Sequence, residues 1–152
     1  MATSTPLSSE APSGDQLCDF VPRQSVVEVL GTEEFEVQGG NVSRDSADAL
    51  SGAACQLAVD GDVVVSVMVG FMLGYAGNGF REGLYSWTDT GDDGPVTGEA
   101  RLSRGDYLID VEVVGIAEGR DAETDAVGLA QQVIQTLEIP DEWTLQGTAP
   151  SR

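Results

Sequence analysis

The alternation of apolar and polar residues is most regular in the middle of the chain, where it predicts a β-hairpin. Two apolar runs, residues 55–59 and 63–72, flank the sequence Asp60-Gly61-Asp62. A short turn with a glycine at positive φ is the usual connection between two antiparallel strands. The apolar run from Val63 to Tyr75 is too short, and too interrupted by glycine, to cross a bilayer as a helix, so we interpret it as a buried strand.

A second hairpin follows and resembles the first. Residues 100–104 and 107–117 flank Gly105-Asp106, and GDVVVSVMV (61–69) aligns without gaps on GDYLIDVEV (105–113). The match suggests an internal duplication in which one hairpin unit is used twice in one sheet. The alternative is coincidence, because short apolar patterns recur by chance.

Two further strands and a long loop complete the β-rich part. Strands are predicted at residues 33–38 (EEFEVQ) and 83–88 (GLYSWT), and the second places Tyr85 and Trp87 on one face. Residues 39–53 are rich in Gly, Asn, Ser and Asp, and this composition predicts a loop.

Helical spacing occurs near both ends of the chain. A short helix is predicted over residues 19–30, with Pro22 in its first turn and Gly31 as its terminator. A longer amphipathic helix is predicted over residues 121–137, with Asp121 as its N-cap.

These elements together predict an α+β fold. We expect a single antiparallel sheet of about five to seven strands with two helices packed on it. The Ser/Thr/Pro-rich residues 1–16 are expected to form a flexible tether, residues 17–140 one globular domain, and residues 141–152 a C-terminal tail.

The composition excludes most familiar catalytic chemistry. The chain has a net charge of −19, no histidine, two cysteines, and seven basic residues that are all arginine. Histidine-based nucleophile pairs, lysine chemistry and four-thiolate metal sites are therefore absent. The strong negative charge also argues against binding nucleic acid or anionic lipid headgroups.

Three stretches resemble a family of secreted actinobacterial lipoproteins of unknown function. They are CDFVPRQSVVEVLG, CQLAVDGDVVVSVMV and AVGLAQQVIQTLEIP, which span roughly residues 17–140. The resemblance implies a signal peptide and a lipidated cysteine upstream of residue 1, and a tether to the outer face of the membrane. It implies no catalytic residues, since the family has no agreed activity.

An exported domain with one pair of cysteines is expected to oxidise that pair. We therefore predict a disulfide between Cys18 and Cys55 that fastens the first helix to the sheet. The alternative is two buried free thiols in a cytosolic protein.

Two acidic motifs are candidates for recognition. Asp89, Asp92 and Asp93 could bind calcium, but their spacing does not match an EF-hand loop, so a solvated turn is the favoured interpretation. Arg104-Gly105-Asp106 spells an integrin-recognition tripeptide, yet it falls where a hairpin turn is required.

Paired carboxylates and aromatic residues supply the other candidate sites. Asp110 and Glu112 share one strand face, as a glycan hydrolase or a solvent-facing sheet would arrange them. Four aromatic side chains near a glycine-rich loop could line a binding groove, and the alternative is that they pack in the core: Tyr75, Phe80, Tyr85 and Trp87.

The sequence thus favours a non-catalytic, exported binding or accessory domain of the cell envelope. Its expected partner is an envelope lipid, glycan or protein, and we expect no cofactor, no metal, no nucleic acid and a monomeric state. The alternatives are a small carboxylate-dependent hydrolase of envelope glycans and an acidic protein-interaction domain.

Overall fold

A computed structural model of the chain describes residues 7–8, 10–71, 83–90, 96–104 and 107–139. Within these residues the chain forms two helices and eight strands. In chain order they are β1 (Gln16–Leu17), β2 (Val21–Pro22), α1 (Arg23–Leu30), β3 (Glu36–Arg44), β4 (Leu50–Val59), β5 (Asp62–Phe71), β6 (Gly83–Thr90), β7 (Val96–Arg104), β8 (Tyr107–Val114) and α2 (Ala122–Thr136).

Six of these strands form one antiparallel sheet, in the order β3-β4-β5-β8-β7-β6, and β1 pairs with β2 separately. With the two helices, this arrangement confirms the predicted α+β fold. Between β4 and β5, Asp60 and Gly61 both take positive φ angles, 54° and 88°, as the predicted hairpin turn requires. β7 pairs with β8 from Arg104 and Tyr107 onward, as the second hairpin predicted.

The strand order is symmetric about the two central strands, as a duplicated hairpin unit requires. β3, β4 and β5 form one meander, β6, β7 and β8 form another, and the two meet where β5 pairs with β8. The sequence alignment equates Val67 with Val111, and these residues lie directly opposite each other across the central pair. The strand order and this register are therefore those that a two-fold relation between the meanders would give.

The helices pack on one face of this sheet. Six buried side chains of the central strands project to that face: Val65, Val67, Val69, Ile109, Val111 and Val113. α2 adds Ala126, Leu129 and Val133 to the same buried cluster, while Phe20 and Val26 come from the region of α1. The antiparallel strands therefore have one apolar face and one polar face.

α2 begins as predicted, because its N-terminal N–H groups find a carboxylate. Oδ1 of Asp121 accepts hydrogen bonds from the backbone N–H groups of Glu123, at 3.0 Å, and Thr124, at 3.3 Å. Beside this cap, Arg120 makes a two-armed ion pair with the buried Asp125, with both N–O distances at 2.9 Å. Its hydrogen bonds to that carboxylate raise the pKa of Arg120 further above its usual value.

α1 begins at Arg23 rather than at Asp19, because the residues before it form a tight turn. Cys18 and Asp19 have left-handed backbone conformations, with φ of 55° and 70°, and β2 then pairs with β1. Pro22 is thus the N-cap and not a first-turn residue, whereas Gly31 ends the helix at φ 70°, as predicted.

The loop predicted at residues 39–53 is confined to residues 45–49, since β3 continues to Arg44 and β4 begins at Leu50. β3 lies at the edge of the sheet and is exposed along nearly its whole length, so it carries no apolar alternation that would reveal it. Gly40 lies against the backbone of Ala54 in β4, where a Cβ atom would have no room.

The described part of the N-terminal segment lies against α2. Nε2 of Gln132 donates a hydrogen bond to the carbonyl oxygen of Ser8 at 2.7 Å. A Cβ atom on Gly128 would lie 2.8 Å from Cβ of Leu7, which gives this helical glycine a packing role. The flexibility of the tether and the predicted domain boundaries stay predictions.

The predicted disulfide is present. Cys18 and Cys55 are joined with a Cα–Cα distance of 5.7 Å, and their sequence separation is 37 residues. The bond ties the turn before α1 to β4, where Cys55 is fully buried. A disulfide fits a domain that folds outside the reducing cytoplasm.

Reduction of this disulfide should lower the free energy of unfolding by about 2–4 kcal/mol, because the unfolded chain regains the entropy of an open loop. Urea titrations of the oxidised protein and of the Cys18→Ala, Cys55→Ala double variant measure the difference. Equal unfolding midpoints would show that the bond adds nothing to the stability of the fold.

Gly98 of β7 should not tolerate a side chain, since the backbone of Ala122 and Glu123 occupies the position of its absent Cβ. We expect Gly98→Ala to destabilise the protein by about 1–3 kcal/mol through overpacking. Gly70→Ala is the matched control in β5, where no described atom lies within 4 Å of the added Cβ. Equal stability of the two variants in urea titrations would contradict the close contact between α2 and β7.

Candidate functional site

The sheet face opposite the helices carries a connected set of charged and aromatic side chains. In β5 and β8 the residues between the buried positions project to this face, among them Met68, Asp110 and Glu112. Met68 is 53% exposed, although it lies in a central strand of the sheet. We call this surface the open face.

The strand register arranges the open face in two rows that cross the sheet. In the first row, Trp87 of β6 lies opposite Glu99 of β7, which lies opposite Glu112 of β8. In the second row, Arg101 of β7 lies opposite Asp110 of β8, which lies opposite Met68 of β5. Directly opposed residues of antiparallel strands have their Cβ atoms about 4.5–5.5 Å apart, so each row is a line of contacts.

Trp87 holds the two rows together. Its indole Nε1 donates a hydrogen bond to Oε2 of Glu99 at 3.1 Å. The guanidinium of Arg101 lies over the ring, 5.6 Å from the centroid, and also pairs with Oδ2 of Asp110 at 3.1 Å. The indole therefore contacts one cation and one carboxylate while it remains 37% exposed.

Negative charge on the open face exceeds what Arg101 can neutralise. Burial, followed by the carboxylates of Glu99, Asp110 and Asp89, raises the pKa of Glu112. Glu112 and Glu99 are directly opposed like charges, an arrangement that destabilises a sheet. A positively charged group that approaches the open face would therefore interact favourably with its carboxylates.

On the covered face, β6 is fastened to the start of α2. The hydroxyls of Ser86 and Thr88 donate hydrogen bonds to the carboxylate of Glu123, at 2.6 and 2.7 Å. These two bonds lower the pKa of Glu123. These bonds hold the edge strand β6, which carries Trp87, against α2. The backbone edge of β6 that does not pair with β7 faces away from β7.

The structure places the predicted aromatic groove only in part. Tyr75 and Phe80 lie outside the described residues, and Tyr85 is described only through its backbone, which pairs with Arg101. Trp87 lies on the open face, so one member of the predicted set is located and the groove itself stays a prediction.

The carboxylate and turn motifs have mixed outcomes. Asp110 and Glu112 share the open face, as their spacing predicted, and Asp110 forms an ion pair with Arg101. Asp89 is an exposed residue of β6, whereas Asp92, Asp93 and residues 105–106 lie outside the described part of the chain. Among the described residues, no three Cys, Asp or Glu side chains are grouped so that they could hold a metal ion.

Glu99, Arg101 and Met68 belong to the site but were not singled out from the sequence. The positions of Glu99 and Arg101 follow from the second hairpin, because the turn that pairs Arg104 with Tyr107 also sets Arg101 opposite Asp110. The position of Met68 follows from the pairing of β5 with β8. The register of the predicted turn was therefore the available signal.

Comparisons with known proteins supply no relative, because the chain matches no family model, no curated protein and no solved structure. In the described residues, neither helix is long and apolar enough to cross a membrane.

Replacement of Glu112 by glutamine should stabilise the protein at neutral pH by about 0.2–1 kcal/mol, because it removes a like-charge pair with Glu99. The raised pKa of Glu112 means that its ionised form is disfavoured in the folded state. The gain is therefore complete above that raised pKa and disappears below the ordinary pKa of glutamate. Glu118→Gln, at an exposed loop position, is the matched control.

Urea titrations of both variants at several pH values test this expectation. A stabilisation by Glu112→Gln that persists at acidic pH, or an equal effect of Glu118→Gln, would show that charge repulsion on the open face is not the cause.

Proposed function

We propose that the chain is a non-catalytic, exported binding domain of the cell envelope whose open face binds a positively charged segment of a partner protein. The observation that carries this proposal is the cluster around Trp87, where several carboxylates lie near one arginine on a sheet face that no described element covers. The finer parts of the proposal are a lipid anchor upstream and an actinobacterial source, and these depend on the sequence resemblance.

Export is supported by the disulfide between Cys18 and Cys55, which forms and persists in oxidising compartments. The net charge of −19 would repel anionic lipid headgroups, so the proposed anchor and not the domain surface makes the membrane contact.

The charge of the open face selects the chemistry of the partner. Glu99, Asp110, Glu112 and Asp89 lie near one another, and Arg101 is the basic residue within this group. A cationic partner would relieve their mutual repulsion, whereas an anionic lipid would increase it. A neutral glycan could stack on the indole but would gain nothing from the excess charge.

Trp87 supplies the second requirement of a binding surface, an exposed aromatic anchor. Tryptophan and arginine are the side chains most often responsible for binding energy at protein interfaces. The ring of Trp87 already makes a cation–π contact with the guanidinium of Arg101, and it could contact the basic side chains of a partner in the same way.

A glycan hydrolase is the second candidate, and the pair Glu99–Glu112 favours it. The two carboxylates are directly opposed, and the pKa of Glu112 is raised, as a general acid requires. Release of reducing ends from envelope glycans, abolished by Glu112→Gln, would replace the binding proposal with this activity.

Binding of a labelled extended peptide with arginine at every second position tests the proposed function. Fluorescence anisotropy should show saturable binding that weakens as salt is added, since the attraction is between exposed charges. Trp87→Ala should weaken binding about tenfold, because it removes the aromatic anchor. Val37→Ala is the matched control, since Val37 is another exposed apolar residue in β3, at the opposite edge of the sheet.

The acidic version of the same peptide, with glutamate at the arginine positions, should not bind. Equal affinity for the acidic and basic peptides would contradict a binding site on the open face. An equal loss of affinity in the Trp87→Ala and Val37→Ala variants would contradict it as well.

A further inference from the structure

The main sheet has two edges, and they differ in how well they could accept another strand. β3 forms one edge and β6 the other, and among the described residues each is paired on one side only. An unpaired edge presents a row of backbone N–H and C=O groups that an extended chain can bind. Proteins commonly protect such edges with bulges, charges or proline.

The β3 edge carries this protection. Its pairing with β4 is broken by register shifts between Val37 and Gly39 and between Ser43 and Arg44. Gly40 has a φ of 142°, and charged residues stand at both ends of the strand, Glu36 and Arg44. The backbone N–H and C=O groups of an added strand would therefore not align with those of β3 along its whole length.

The β6 edge lacks the register shifts of the β3 edge. All eight residues, from Gly83 to Thr90, pair with β7 in one unbroken register. Its sequence, GLYSWTDT, contains strand-forming residues, no proline and no basic residue. The hydroxyl bonds of Ser86 and Thr88 to α2 hold the strand from the covered side.

Carboxylates flank this edge on both faces of the sheet. Asp89 and Glu99 lie on the open face, and Glu123 lies on the covered face, bound to β6. The side chains of an added strand alternate between the two faces, so its successive residues would meet negative charge on either side.

A second copy of this chain is a poor occupant of the β6 edge. Each copy would bring its own net charge of −19, and two copies paired through β6 would place Asp89 and Glu123 of both close to one interface. An extended segment rich in arginine or lysine has the complementary charge.

We infer that β6 is a strand-addition site, at which a basic, extended segment of a partner protein pairs with the backbone of β6 and places side chains beside Trp87. This inference rests on the proposed function, which it deepens by naming the mode of binding. The backbone supplies hydrogen bonds, and the indole with its neighbouring carboxylates supplies the preference for cations.

Backbone N-methylation of the arginine peptide provides the decisive experiment. Two versions are made, methylated at alternate residues in the two complementary patterns. A strand added to β6 uses the N–H groups of one of its two edges, so one pattern should weaken binding at least tenfold while the other changes it less than threefold.

The outcomes separate this inference from the proposed function. If the unmodified peptide binds and both methylated versions bind equally well, or both fail, strand addition is overturned while the open face keeps its role. If the unmodified arginine peptide does not bind at all, the proposed function fails and the inference fails with it.

Amide cross-peaks of the isotope-labelled protein locate the bound peptide. The largest shifts are expected in β6, and the β3 edge is the internal comparison. Shifts concentrated in β3 would overturn the assignment to β6.

A charge reversal in β6 gives an independent check. The Asp89→Arg variant should bind the peptide at least threefold more weakly than the control variant Asp62→Arg, at the start of β5. An unchanged affinity of Asp89→Arg would also overturn the assignment to β6.

Discussion

The pairing of β5 with β8 is the interaction on which the rest of the structure depends. It sets Val67 opposite Val111 and brings the aliphatic residues of both strands to one face of the sheet. The helices available to cover a six-stranded sheet are short, with 8 residues in α1 and 15 in α2. They pack on the aliphatic face, because burial of that face is the main favourable contribution to folding. The polar face carries exposed side chains of the same strands, among them Met68 and Glu112.

The contacts around the helices serve this one-sided arrangement. Gly98 lets the backbone at the start of α2 rest directly on β7, and the capping carboxylate of Asp121 satisfies the N–H groups at that contact. The disulfide holds the turn before α1 against β4 on the other half of the sheet. Both helices are thereby fixed at their beginnings, where the chain passes between layers.

Sequence patterns predicted the elements that have strong local signals. The turn at Asp60-Gly61, the N-cap at Asp121 and the bond between Cys18 and Cys55 follow from turn chemistry, capping and cysteine pairing, and all are present. The strand predicted at residues 33–38 includes the start of β3, but the continuation to Arg44 was missed because an exposed edge strand shows no apolar period. The open face was recognised only through Trp87, Asp110 and Glu112, because the contribution of a residue such as Glu99 depends on strand register, which no single strand reveals.

One face of the sheet is covered and the other is open, and single introduced thiols test this difference. Both native cysteines are bonded to each other, so Met68→Cys and Val69→Cys each introduce one thiol on neighbouring residues of β5, and neither position lies directly opposite Cys55. The measurement is the rate at which each thiol reacts with a maleimide in the folded protein. We expect the thiol at position 68 to react at nearly the rate of an unfolded control and the thiol at position 69 to be strongly protected, since Val69 is 4% exposed. Similar protection at both positions would show that the proposed binding face is covered, against this expectation.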